Sequence, residues 1–217
     1  MRSFCIIGLG CFGVALAESL SEKRHQVLVI SEDEEAVNAI ANKVTNAVVG
    51  DPTSEAVLRR AGVTDYDCAV VCIDDNMNDS ILATMTLKEI GIGEVVARAM
   101  NARHRKVLQK LGADMVVFPE EDMGDRLAQI LVKKDVIDYF SFAEEYSIAE
   151  IRVPETWVGQ SIIALNIRRH YGITVIAVRR NGKLDVSPAP DVPFAADDTI
   201  TVMGTDEKLE KLTKRLQ

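Results

Sequence analysis

Apolar residues in the first half of the chain gather in short runs: Phe4 to Ile7, Val27 to Ile30, Ala47 to Val49, Cys68 to Ile73, Glu94 to Ala99 and Met115 to Phe118. Runs of this length, bounded by glycine, acidic and turn-forming residues, predict strands buried on both faces. Between them the apolar period lengthens to that of helices. One follows Gly13; a second runs to about Lys43 with Val37, Ile40 and Ala41 on one face; others end near Ala61, span Ser80 to Ile90, and span Arg103 to Leu111 with Gly112 as C-cap. Strand alternating with helix predicts an α/β fold, a doubly wound parallel sheet of Rossmann-like type with right-handed crossovers. Ligands of such sheets lie beyond the strand C-termini, which here carry Gly8, Ser31, Asp51, Asp74 and Arg98.

The pattern changes after about residue 120. A longer helix is predicted from Glu121 to about Ile137, with Leu127, Ile130, Leu131 and Val132 apolar, and Tyr139, Phe140, Phe142 and Tyr146 follow. In a chain with 5% aromatic residues this concentration marks a packed joint between lobes or between subunits, the second being preferred. Beyond it come alternation in Ile148 to Val153, a helix near Ser161 to Arg169, a strand over Thr174 to Arg179, an Asn181-Gly182 hairpin turn and a strand over Thr199 to Met203. Leu209, Leu212 and Leu216 line a closing helix. The expected organisation is a nucleotide-binding lobe over residues 1–120, a connector over 121–146 and a smaller α+β lobe over 147–217, which docking or dimerisation should help to stabilise.

The first strand runs directly into glycines spaced G-x-G-x-x-G at Gly8, Gly10 and Gly13, and a helix opens there. Strand, tight turn and helix N-terminus in succession make a cradle for phosphate, with free backbone N–H groups and the helix dipole facing the anion. Glycine turns also occur without a ligand, so the position of this one carries the argument. At the end of the second strand a dinucleotide fold places an acidic residue for the adenine ribose; here Ser31 holds that position and Glu32 follows. Carboxylates there accept hydrogen bonds from a free 2′-hydroxyl and repel a 2′-phosphate, which favours NAD or adenine nucleotides over NADP. Glu32 to Glu35 also favour the helix N-terminus electrostatically, whatever else they do.

A net charge of −8 argues against nucleic-acid or membrane-surface binding, and 47% hydrophobic residues in 217 suffice for a substantial core. No apolar run approaches the roughly 20 residues that span a bilayer, so a cytoplasmic protein is expected unless a partner holds it elsewhere. The four cysteines, Cys5, Cys11, Cys68 and Cys72, form neither a disulfide framework nor a zinc site by spacing. Cys68 and Cys72 on one strand would stand roughly 13 Å apart. Cys11, at a helix N-terminus, is either a spacer or an activated thiol.

Taken in order, five segments resemble the regulator-of-potassium-conductance (RCK) proteins, the cytosolic subunits of Ktr/Trk-type potassium uptake systems. They are I-I-G-L-G-C-F-G from Ile6, G-D-P-T at Gly50 to Thr53, A-R-A-M-N-A-R-H at Ala97 to His104, L-G-A-D-M-V-V-F-P-E-E-D-M-G at Leu111 to Gly124, and L-N-I-R-R-H-Y-G-I at Leu165 to Ile173. The resemblance covers essentially the whole chain. It implies a crossover helix exchanged between protomers, dimers assembled into an eight-membered ring beneath a membrane-embedded potassium translocator, and NAD(H), ADP or ATP acting on the dimer hinge. By position it assigns the phosphate turn to Gly8, Gly10, Cys11, Phe12 and Gly13, the ribose end to Ser31 and Glu32, and the adenine side to Asp51 and Thr53. Ile73, Asp74 and Arg98 line the cleft. Glu120 matches a position that supports a divalent cation between subunits in some relatives, and Ile163, Asn166, Arg168 and Pro188 match a cyclic di-AMP site in others.

Two departures bear on the ligand. Relatives that respond to ATP carry arginine where this chain has Cys11, so a cation that would meet the γ-phosphate is missing, and Ser31 displaces the ribose carboxylate by one position. For the smaller lobe the plain alternative is that Ile163 is core and Arg168-Arg169 a solvated helix end, and for Arg103 to Lys106 a solvated helix face. A small NAD-dependent oxidoreductase is the rival reading, but His25, His104 and His170 fall on a predicted loop and helix ends without an evident catalytic pairing. A regulator of a cation/proton antiporter would share the fold and differ only in its partner.

Overall fold

The computed structural model describes residues 1–132 and 135–215. The chain divides into two compact units, Met1–Pro119 and Glu120–Gln217.

The first unit holds β1 (Ser3–Ile7), α1 (Cys11–Glu22), β2 (Gln26–Ser31), α2 (Glu34–Ile40), β3 (Asn46–Val49), α3 (Glu55–Arg60), β4 (Cys68–Val71), α4 (Met77–Glu89), β5 (Val95–Arg98), α5 (Ala102–Lys110) and β6 (Met115–Val117). The strands form one parallel sheet in the order β3-β2-β1-β4-β5-β6. Strand pleating sends alternate side chains to opposite faces, so each buried run feeds two cores. Cys5, Ile7, Leu28, Ile30, Ala69 and Val71 pack with Leu58, Leu87 and Leu108 from α3, α4 and α5. Ile6, Val27, Val29, Cys68, Val70 and Cys72 pack on the other face with Ala17 of α1 and Ile40 of α2. Burial pushes the Cys68 thiol up to about 11 and the Cys72 thiol up to about 12, and raises Cys5 too, so these three stay protonated packing groups. Helix α4 starts before the expected Ser80 because Asn76 caps it, its Oδ1 accepting from the N–H of Asn78 at 3.0 Å. Helix α2 ends at Ile40, short of the expected Lys43.

The second unit begins with α6 (Pro119–Val132) and continues as β7 (Val136–Ala143), β8 (Tyr146–Arg152), α7 (Ile162–Leu165), α8 (Ile167–Tyr171), β9 (Thr174–Arg180), β10 (Lys183–Asp185), β11 (Thr199–Thr205) and α9 (Asp206–Arg215). Its strands make an antiparallel sheet ordered β10-β9-β11-β8-β7. The expected helix from Glu121 to Ile137 is corrected here. It begins at Pro119, and Val136 and Ile137 belong to a strand that pairs with β8 through a hairpin at Glu144 and Glu145. Aromatic and β-branched residues in V-I-D-Y-F-S-F favour an extended, half-buried strand over a helix. The helix expected near Ser161 to Arg169 is two short ones, because Asn166 adopts a left-handed conformation at φ 46° that interrupts it. Leu216, expected on the closing helix, lies outside the described residues.

Trp157, Ile151, Ile167, Ile173, Ile200, Val202, Leu209 and Leu212 form the core of this unit. The Trp157 indole N–H donates to the Tyr171 hydroxyl at 3.2 Å, so its polar atom is satisfied inside. Arg180 fixes the loop that leads into β11: its Nε donates to Asp198 at 2.9 Å and its Nη2 to the Pro193 carbonyl at 2.8 Å. The Asp198 side chain is 2% exposed and also accepts from the Ala195 N–H at 2.8 Å. The Arg180 guanidinium holds the Asp198 carboxyl below its usual range. A carboxylate with a depressed folded-state pKa contributes stability that is present above its unfolded pKa of about 4 and is lost as the pH falls through the folded value. Asp198→Asn should therefore lower unfolding stability at pH 7 by about 1–3 kcal/mol. In urea titrations the gap between wild type and variant should begin to narrow below about pH 4, where the unfolded carboxyl takes up a proton, and close only once the pH has fallen through the lower folded-state value.

Candidate functional site

Sheet order places β1 beside β4 at the centre, and the connections leaving these two strands run in opposite directions along the sheet. A crevice opens where such connections part, at the strand C-termini. Here it is a cavity of about 560 Å³ lined by Gly8, Leu9, Gly10, Ser31, Glu32, Asp33, Asp51, Pro52, Thr53, Ile73, Asp74, Asp75 and Asp79.

The floor is the turn between β1 and α1. Gly8 takes φ +93°, and a Cβ there would lie 2.9 Å from the backbone nitrogen of Ile73, so both conformation and space require glycine. A Cβ on Gly10 would meet the Asp74 carboxylate, with Oδ1 at 2.6 Å. Gly10 stands at the N-cap of α1 with no side-chain hydrogen bond to the helix, so the helix opens on main chain alone. Backbone bonds from Gly8 N–H to the Ile30 carbonyl, 2.9 Å, and from Cys72 N–H to the Ile7 carbonyl, 2.7 Å, hold the turn against both neighbouring strands. The bare cradle fits an anion at a helix N-terminus.

The walls come from the other strand ends. Ser31 is buried and its Oγ accepts from the Asp33 N–H at 3.2 Å, while Glu32 stands exposed beside it. Asp33 caps α2, accepting from the Ala36 N–H at 3.0 Å. Asp51 Oδ1 accepts from the Thr53 N–H at 2.8 Å and from its hydroxyl at 2.6 Å, which fixes the turn after β3. Buried Arg98, at the end of β5, places Nη1 3.9 Å from Asp74 Oδ2.

Gly8, Gly10, Ser31, Glu32, Asp51, Thr53, Ile73 and Asp74 thus meet around one cavity. Gly13 and Phe12 support it from outside the lining, Gly13 buried in α1 and Phe12 packed on the second core. Cys11 is exposed at the first position of α1. Leu9, Asp33, Pro52, Asp75 and Asp79 also line the cavity and were not singled out from the sequence. Pro52 and Leu9 could have been found as immediate neighbours of motif residues. Asp75 and Asp79 could have been found from the acidic loop D-D-N-M-N-D, whose polarity is unusual so close to a buried strand.

The lining carries six carboxylates, Glu32, Asp33, Asp51, Asp74, Asp75 and Asp79, and, among the described residues, no lysine, arginine or histidine. His104 is buried with Nδ1 accepting from the Met100 N–H at 3.2 Å, and burial lowers its pKa, so it is neutral. His25 packs edge-on to Phe4, and His170 contacts the Leu165 carbonyl. Among the described residues no group of three or more His, Cys, Asp or Glu is placed to hold a metal ion, and Glu120 sits in the first turn of α6 with Glu121 and Asp122.

In the second unit a cavity of about 440 Å³ lies between the β9–β10 hairpin and the loop before β11, lined by Ile162, Val178, Arg180, Leu184, Pro188 and Phe194 among others. Of the four residues matched to a cyclic di-AMP site, only Pro188 lines it. Ile163 is 63% exposed, which removes it from the core, and its N–H donates to the Pro190 carbonyl at 3.0 Å. Asn166 forms the left-handed joint and Arg168 lies exposed on α8. One chain does not gather the four.

The TrkA-N domain family matches residues 4–119 and the TrkA-C domain family residues 148–217. Ktr system potassium uptake protein C of Bacillus subtilis (strain 168) is 37% identical over 215 residues, covering 99% of this chain and 97% of that protein. Among solved structures, GsuK bound to ADP is 27% identical over 62% of this chain and 35% of its own, with a TM-score of 0.54. The GsuK channel bound to NAD covers 100% of this chain and 38% of its own, with a TM-score of 0.57 and 23% identity, a likeness of fold. The chain spans less than half the length of those two.

Gly13→Ala tests the turn directly. Its Cβ would overlap the Gly8 carbonyl oxygen and lie 3.2 Å from the Cys72 Cβ. The substitution should cost about 1–3 kcal/mol by overpacking, read as a lower thermal midpoint.

Proposed function

Since the chain belongs to the TrkA-N and TrkA-C family of potassium-uptake proteins, we propose that it is the nucleotide-binding regulatory subunit of a Ktr-type potassium uptake system. Its task is to couple NAD(H), ADP or ATP in the cleft to the conformation of a ring that gates a membrane-embedded potassium translocator. The observation that carries this reading is the uncapped glycine turn at the switch point of the sheet, floored by main chain and flanked by carboxylates. Gly8 and Gly10 would admit a diphosphate, with Cys11, Phe12 and Gly13 presenting the first turn of α1. Ser31 and Glu32 would meet the ribose, Asp51 and Thr53 the adenine side, and Ile73, Asp74 and Arg98 the remaining wall. The bound nucleotide supplies no chemistry in this role. It acts by favouring one of two arrangements of paired subunits, which requires unequal affinity for the two.

Against the oxidoreductase reading stand the relatives, of which a Ktr system potassium uptake protein is 37% identical over 99% of this chain. The partner is argued from the relatives, since a Ktr protein shares nearly the full length of this chain.

Pairing of subunits is proposed through residues 121–146, between a nucleotide lobe over 1–120 and a sensing lobe over 147–217. Helix α6 has no buried residue, and Leu127, Leu131 and Val132 are exposed on it, the last two at 74% and 75%. Phe140, Phe142 and Tyr146 are exposed on the hairpin that follows. An apolar surface of this extent on one connector is what a second copy would cover. No described helix is long and apolar enough to cross a membrane, and the proposed place of work is the cytoplasmic face, reached through the translocator.

Calorimetric titration with NAD, NADH, ADP, ATP and cyclic di-AMP tests the ligand class. NAD(H) or ADP should bind at least as tightly as ATP, because Cys11 leaves the γ-phosphate without a cation. Gly10→Asp should abolish nucleotide binding by placing a carboxylate in the cradle. Unchanged binding in that variant would sink the assignment. For pairing, Leu131→Glu with Phe142→Glu should shift the chain from dimer to monomer in sedimentation.

A further inference from the structure

Among the carboxylates of the cleft, Asp74 stands apart by its position on the glycine turn. A Cβ built on Gly10 would lie 2.5 Å from Asp74 Cγ and 2.6 Å from Oδ1, so the carboxylate rests directly on the bare main chain. It lies at the opening of α1, a helix of 12 residues whose N-terminus has no side-chain cap. Its Oδ2 is 3.9 Å from Arg98 Nη1. Asp74 therefore occupies a place between the positive end of a helix and a buried guanidinium, the environment that a diphosphate would seek. Asp33 and Asp51 differ in kind, because each is engaged by backbone N–H groups of its own turn.

We infer that Asp74 is a resident anion of the phosphate turn and sets charge selectivity among the nucleotides, disfavouring them in the order of their phosphate charge. The inference rests on the reading that this cleft takes an adenine nucleotide, and it goes further by assigning the discrimination to one side chain. A diphosphate settling on Gly8 and Gly10 either shares the space with the carboxylate, at the cost of like charges a few Å apart, or drives it off the helix end toward Arg98. Both costs rise with the charge of the ligand. NAD carries the least net charge, ADP more and ATP the most. The other lining carboxylates add repulsion of the same sign.

Asp74→Asn keeps the shape and removes the charge. Wild type and variant would be titrated with NAD, ADP and ATP by calorimetry in one buffer, with a chelator present so that divalent cations do not neutralise the phosphates. ATP should bind the variant roughly tenfold more tightly, ADP should gain less and NAD least, the scale expected for one charge a few Å away in a partly screened site. An equal change for all three ligands would overturn the inference, as would a general weakening, which would make Asp74 a group that holds the ligand. If circular dichroism shows the variant unfolded, wild type at low and high salt carries the test: screening should narrow the gap between NAD and ATP, and a constant or widening gap overturns the inference. Binding of none of the three by folded wild type would overturn the nucleotide reading and this inference together. Binding without the charge order overturns only this one.

Discussion

The site depends on a stretch of backbone that carries no side chains where β1 turns into α1. Gly8 needs a left-handed conformation, and Gly10 stands against Asp74, so neither position has room for a Cβ. Everything else in the first unit serves to bring charged or polar strand ends around that bare turn. The order β3-β2-β1-β4-β5-β6 sets the β2 and β3 ends on one side of it and the β4 and β5 ends on the other. Two cores, one on each face of the sheet, fix the turn from above and below. The thiols of Cys5, Cys68 and Cys72 belong to that packing, their pKa values raised by burial and their chemistry silenced.

Within the acidic cleft one carboxylate, Asp74, sits against the phosphate cradle itself, while the helix end acts within its first turn. Such a site favours a nucleotide whose recognition lies in its ribose and base, with modest charge on its phosphates. A regulatory ligand that must come and go with the state of the cell is well served by moderate affinity.

Most of the first unit was legible from residue pattern, because strands buried on both faces announce themselves as continuous apolar runs and the glycines mark the one turn that matters. Fold class, strand count and the turn and strand-end positions Gly8, Gly10, Ser31, Glu32, Asp51 and Asp74 follow from this; Thr53 and Ile73, which also line the cavity, come from the resemblance, and Cys11, Phe12, Gly13 and Arg98 do not line it. The second unit was harder. Val136 and Ile137 continue the apolar pattern of α6 although the β-branched and aromatic residues that follow favour an extended chain, and the pairing with β8 decides it. The break at Asn166 is equally hidden, since I-I-A-L-N-I-R-R-H reads as one helix until its left-handed residue is seen. Ile163, Asn166, Arg168 and Pro188 could be named by resemblance, but a single chain brings only Pro188 to a cavity.

The central claim is that nucleotide occupancy changes the arrangement of paired subunits. Spin labels on a cysteine introduced at exposed Lys110, in a Cys11→Ser background, would report the distance between equivalent sites of a dimer. The account predicts that saturating NAD(H) or ADP shifts that distance distribution, and that Gly10→Asp leaves it where it stands without ligand. A distribution unchanged by a nucleotide shown calorimetrically to be bound would contradict it.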